Sequence, residues 1–310
     1  MTKKMIPMFL LLLTSLLFLL GNPASSYESP SVGDLQIFPL DNPWHWDISK
    51  YPVHPDSENY ISSIGRNNPL HPDFGTVWNN APNGIPFVVV SGSQPKVPIV
   101  FTAYGNESDP GPYPVPADAP VEGGLLSQGD RHVIVVDRDN RLLYELYAAY
   151  PKQNCWEAQS GAVFNLNSNQ LRPKGWTSAD AAGLPIFAGL VRYEEVVVKK
   201  NIDHAIRVTV RKTQRKFLHP ATHFASSSTD PNLPPMGLRF RLKASYDISG
   251  FPSSAQVVLK ALKKYGMIVA DNGGPWFISG APDSRWNDEE LATLKRVKGS
   301  DFEAVLIVDK

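Results

Sequence analysis

The sequence is poor in several features that announce common chemistries. It has one cysteine, Cys155, in 310 residues, so no internal disulfide can form and stability must come from packing. Its neighbours Asn154, Trp156 and Glu157 offer no base to activate a thiol. Thirty basic side chains balance thirty acidic ones, so the chain lacks the cationic excess that nucleic-acid binding requires. No phosphate loop, dinucleotide fingerprint, nucleophile elbow or kinase signature is present, and no cofactor is expected. After Leu20 no apolar run approaches the ~20 residues of a bilayer crossing, so no membrane partner is expected for the mature chain.

What is present begins with Lys3-Lys4, an apolar run from Met5 to Leu20, and the small and turn residues Gly21-Asn22-Pro23-Ala24-Ser25-Ser26. That order matches a secretory signal peptide over residues 1–26 and places the mature protein in a secreted or periplasmic setting. The remaining chain, 27–310, reads as a single globular β-rich domain, with no internal repeat or dividing linker. With 28 Pro and 22 Gly it calls for many short elements joined by turns. The fold class expected is mainly β, a sandwich or jelly-roll-like arrangement of antiparallel sheets with a few short helices and a C-terminal α/β edge. A monomer is expected.

Residues 27–75 form an irregular N-terminal wrap holding one helix, with Asp56 as N-cap and Gly65 as stop. Ile85–Ser91 and Val97–Ala103 read as a hairpin, followed by a proline-rich loop over 105–129. Arg131–Asp137 and Leu142–Ala149 are the clearest hairpin. Leu190–Val198 and Asp203–Arg211 read as another, and Gly237–Lys243 alternates strictly. Ser254–Tyr265 and Asn287–Arg296 have helical periodicity, with strands expected at Met267–Ala270 and Phe302–Val308.

The chemistry-bearing candidates are polar residues on apolar faces. In the predicted 190–211 hairpin, Glu195 and His204 become diagonal neighbours roughly 5 to 8 Å apart, a pairing suited to general acid/base work or to fixing strand register. His132 lies with Ile134 and Val136, and Glu145 with Leu143 and Tyr147; both also fit a satisfied core role. Asp180 is a second candidate acid/base. Trp176 could stack on a sugar ring, as could Trp156, Trp276 and Trp286 beside turns. Arg241, in the cationic row Arg239, Arg241 and Lys243, could grip a carboxylate or be a solvated strand face. Asp230 is a candidate substrate contact. His219 and His223 have i, i+4 spacing, but Pro220 and the lack of an intervening Glu argue against a zinc protease, and no metal is expected.

The strings Gly129-Asp130-Arg131-His132-Val133, Gly175–Pro185, Gly189–Val196, Asp203-His204-Ala205-Ile206 and Tyr265–Gly273 resemble those of a family of secreted, mostly uncharacterised bacterial proteins. The resemblance implies export and no particular activity. Export, a β-rich fold with long polar loops, and carboxylates and histidines on apolar faces lead to a carbohydrate-active enzyme, a glycoside hydrolase or polysaccharide lyase. The alternative is a non-catalytic glycan-binding or cell-surface module. Either reading takes a polysaccharide or glycan as partner.

Overall fold

The computed structural model describes residues 27–307; the expected signal peptide and the expected end of the last strand at Val308 lie outside the described residues. In chain order the strands are β1 His71–Asp73, β2 Val77–Trp78, β3 Ala81–Pro82, β4 Phe87–Val90, β5 Ile99–Phe101, β6 Val133–Asp137, β7 Leu142–Tyr147, β8 Tyr150–Pro151, β9 Trp156–Ala158 and β10 Ser160–Asn165. They continue with β11 Ile206–Val210, β12 Arg239–Leu242, β13 Met267–Asn272, β14 Phe277–Ser279 and β15 Phe302–Val305. The α-helices are α1 Ser57–Ile64, α2 Ser253–Lys264 and α3 Asp288–Ala292. The protein is mostly β, with several sheets, few short helices and no barrel closure.

Two sheets carry the core. One has the order β1-β14-β11-β13-β12-β15, the other β10-β7-β6-β4, and both mix parallel with antiparallel pairs. The β6–β7 hairpin forms as its sequence predicts, with Val133 opposite Leu146 and Asp137 opposite Leu142. Both faces of β6 are buried, which is why it reads as the unbroken run Val-Ile-Val-Val. Ile134 and Val136 join the main core; Val133 and Val135 face a second cluster with Tyr113, Val115 and Val121 of the proline-rich loop. That loop is therefore packed, and its end delivers Glu122 to the site described below.

Helix α2 buries Ala255, Val258, Leu259 and Leu262, the face its periodicity marks, and packs against β12. Behind that sheet the Trp276 indole stacks on Phe302 at 5.3 Å and meets Phe240 edge-on at 5.1 Å. Burying rings of this size stabilises the fold by about 2–3 kcal/mol each. The Asn287 side chain caps α3 by accepting from the Glu290 N–H. At α1, Asp56 sits at the N-cap without a side-chain cap bond.

Three expectations need correction. Residues 85–103 are not a hairpin: β4 runs parallel to β6 and β5 parallel to β9, non-local partners that local spacing does not encode. Residues 194–198 are not a strand but one turn of π-helix, with Lys199 N–H donating to Glu194 O at 2.8 Å. Their β-branched run favours a strand, but the Glu195 carboxylate folds back onto the Arg192 guanidinium and backbone N–H and holds the turn closed. Finally, β12 has no solvated cationic face. Arg239 is fully buried, and Arg241 is ion-paired with Glu303 at 2.7 Å while donating to the carbonyls of Ile48 and Tyr51. Arg241 thus ties the N-terminal wrap to the sheet and is not placed to hold substrate.

Candidate functional site

Strand β11 alternates Ile206, Val208 and Val210 into the core with Arg207 and Thr209 on the opposite, polar face. Along that face Asp73 of β1 stands opposite Ser279 of β14, and Arg207 Nη1 donates to Ser279 Oγ at 2.7 Å. Asp271 joins them through a bulge. The register of β11 and β13 runs Val208 to Val269 and then Thr209 to Asp271, so Ala270 is the extra residue. In an unbroken register Asp271 would pair with Val210 and point into the core; the bulge re-aims it beside Arg207.

Asp180 reaches the same guanidinium from a loop that its own hydrogen bonds hold rigid. Ser178 Oγ receives the Asp180 N–H at 2.9 Å, and Thr177 Oγ1 and Gly183 N–H donate to Asp180 O. Gly183 is required there: its φ is +72°, and a Cβ would lie 2.1 Å from Thr222 Oγ1. Arg207 Nε and Nη2 each donate to Asp180 at 2.8 Å, a bidentate pair with no solvent exposure at the aspartate, and Nη2 also meets Asp271 Oδ2 at 3.3 Å.

Burial first, then the negative charge of Asp180, pushes the Asp271 carboxyl up to about 7, although Arg207 opposes both. Unlike Asp180, Asp271 is partly open. It lines a cavity of about 300 Å³ together with Asp130, Tyr104, Tyr147, His223 and Asn272.

A second ion pair flanks this cluster. His132 Nδ1 donates to Glu122 Oε2 at 2.6 Å, and Nε2 donates to the carbonyl of Ala179, next to Asp180. Burial would lower His132, but the Glu122 carboxylate overrides it and holds the imidazole up to about 9. Burial would likewise raise Glu122, and the His132 imidazolium keeps it low. The adjoining Gly124–Ser127 segment is held by buried Arg131, which donates to the carbonyls of Leu125 and Ser127 and lies over the Tyr150 ring. Asp73 is raised, first by the protein packed beside it and then by Glu122, with Arg207 opposing.

The structure thus brings Asp180 and His132 together and leaves the other sequence candidates elsewhere. Glu195 and His204 do meet, at 3.2 Å, beside a cavity of about 180 Å³. His204 precedes β11, whereas Asp271 aligns with Thr209 near its far end. Arg192 and His204 overcome burial to keep Glu195 low, so it is a fixed anion and not a proton donor near neutrality. Glu145 is fully buried and accepts the N–H groups of Ile186 and Phe187 at 2.9 and 2.8 Å. Trp176 lies against Arg172, and Asp230 caps its own turn by accepting from Asn232 N–H. Trp156, Trp276 and Trp286 are buried. His219 stacks on Trp46, and His223 Nδ1 is bonded to Ala181 O at 2.7 Å. Among the described residues no group of three or more His, Cys, Asp or Glu side chains has the geometry to hold a metal.

Sequence reasoning missed Asp271, Arg207, Glu122, Asp73 and Asp130 as site residues. A signal existed for one of them: Arg207 is a charge set between Ile206 and Val208 in a β-branched run.

Comparison with protein-family models, with curated proteins and with solved structures finds no match to this chain.

Proposed function

We propose that the protein is a secreted glycoside hydrolase acting on neutral polysaccharide, with Asp271 as general acid and Asp130 as the opposing carboxylate. The observation that carries this reading is a partly open carboxyl raised to about 7 on the wall of a cavity that a second aspartate shares. Near neutral pH such a group is poised to give and regain a proton.

In the proposed reaction Asp271 protonates the glycosidic oxygen as the carbon–oxygen bond breaks. The Asp130 carboxylate faces the developing positive charge and takes the proton from the incoming water, or attacks the sugar carbon first. Water supplies the hydroxyl of the new reducing end: in the direct route Asp130 then gives the water's proton to solvent and Asp271 regains one from it, and in the route through a glycosyl ester the Asp271 carboxylate takes the water's proton as Asp130 leaves. Asp180 and Arg207 touch no substrate; they are positioning residues that set the location and proton affinity of Asp271. Tyr104 and Tyr147 offer ring faces to a sugar, and Asn272 offers polar atoms to its hydroxyls.

Charge favours hydrolysis over a uronate lyase. A lyase must neutralise the substrate carboxylate with a free cation, but Arg207 is taken by Asp180 and Asp271, and His132 by Glu122. Asp130, on the wall of the same cavity, would repel a uronate. Export rests on the signal-like first 26 residues.

The test is incubation of the purified protein with neutral and acidic polysaccharides, assayed for new reducing ends and for the ultraviolet absorbance of unsaturated uronates. Reducing ends from a neutral polymer without that absorbance are expected. Absorbance from a uronate polymer would make the protein a lyase, and intact substrates throughout would overturn the catalytic reading.

A further inference from the structure

A polysaccharide extends beyond the one sugar at the scissile bond, and a second concavity opens on the same face of the sheet as the Asp271 cavity. It is a groove of about 400 Å³ whose walls include His71, Asp73, Trp78, Phe277 and Lys295. Its floor is the His71 ring stacked on Phe277, with centroids 3.9 Å apart, on the same sheet face as Arg207 and Asp271. Asp73 lines the groove and lies within electrostatic reach of Arg207 and of Asp130, which lines the Asp271 cavity.

Trp78 is the unusual residue here. It stands on the two-stranded hairpin β2–β3, whose turn residues Asn79 and Asn80 have φ of +48° and +61°. Its side chain is 69% exposed, whereas Trp44, Trp156, Trp276 and Trp286 are buried. Among the described residues its ring stacks on no other. The hairpin leans towards the loop after Glu122, where a Cβ on Gly124 would contact Ala81 at 4.0 Å. Leu125 and Leu126 of that loop are also exposed.

We infer that this groove is a sugar-binding subsite, with the Trp78 ring as the platform for residues of a neutral chain whose scissile bond lies at Asp271. The inference rests on the glycan reading above. An exposed ring beside polar groups stacks on the C–H face of a sugar while those groups take its hydroxyls. The charges set the class: Asp73 and Asp288 oppose the single Lys295, so the groove adds no cationic hold for a uronate.

The experiment is affinity electrophoresis of the Asp271→Asn protein through gels containing mixed-linkage β-glucan, xylan or galactomannan, with polygalacturonate and chitosan as charged probes. At least one neutral polymer is expected to retard it. Adding Trp78→Ala should weaken that retardation about tenfold, equivalent to ~1.4 kcal/mol, while Trp78→Phe retains most of it. Equal retardation of the Trp78→Ala protein, no retardation by any neutral polymer, or preference for polygalacturonate or chitosan would each overturn the inference. Reducing-end release by the wild-type protein is scored separately. Retardation lost with Trp78 but no hydrolysis upholds the groove and sinks catalysis; hydrolysis with retardation indifferent to Trp78 does the reverse.

Discussion

Asp180 and Asp271 divide one nitrogen between them: Nη2 of Arg207 donates to Asp180 at 2.8 Å and to Asp271 at 3.3 Å. Asp180 also holds Nε, so it keeps the better share of the cation while its own charge raises its neighbour. Replacing Asp180 by Asn removes that charge and frees Arg207 for Asp271. The Asp271 carboxyl should fall below about 7, and the alkaline limb of the pH–rate profile should move to lower pH with it. The buried Arg207 loses its bidentate partner, so urea unfolding should show a loss of about 3 kcal/mol. An unmoved alkaline limb in a folded Asp180→Asn protein would refute the coupling.

Glu145 makes a separate prediction about stability. Burial raises its carboxyl from 4.5 to about 7, despite the two N–H groups it accepts. Between those values the unfolded chain has released the proton and the folded chain has not, so stability falls as pH rises through the window. Glu145→Gln should flatten that fall. It should also lower stability by about 1–3 kcal/mol at mildly acidic pH, because the amide cannot accept two N–H groups as the carboxyl does. Urea midpoints measured across about pH 5 to pH 8 check both effects.

His132 has the opposite chemistry and a later window. Its imidazole is held up to about 9 from 6.5 by Glu122, so the pair's stabilisation is complete below about 6.5 and is lost as pH rises through about 9. His132→Gln should therefore destabilise the protein on the order of 2 kcal/mol near pH 6 and much less near pH 10. Because the imidazolium keeps Glu122 low, the same variant should raise the pH at which Glu122 protonates, measurable by carboxyl infrared titration.

Local pattern made much of the fold legible. The β6–β7 hairpin, helix α2 and the Asn287 cap follow from alternation, helical spacing and a side-chain acceptor, all short-range signals. The parallel pairs β4–β6 and β5–β9 depend on partners 47 and 57 residues away, which spacing does not reveal. Glu195 and His204 meet as expected but through a π-turn, because an ion pair to Arg192 outweighed the β-propensity of Val196-Val197-Val198. His132 was visible as a polar residue on an apolar face, and Asp180 was a candidate acid/base with no periodicity to place it. Asp271 was not visible, because a one-residue bulge at Ala270 decides which face it takes. Arg241 looked exposed from alternation, but the N-terminal wrap covers its face of β12.

The central claim is that Asp271 donates the proton, and the most direct measurement is kcat/KM on a neutral polysaccharide for the wild type and Asp271→Asn between about pH 5 and pH 9. The wild-type profile should fall above about 7, as the raised Asp271 carboxyl loses its proton. The variant should be slower by roughly 10²–10⁴-fold and lose that alkaline limb. A variant that matches the wild type in rate, or that keeps the same limb, would contradict the account.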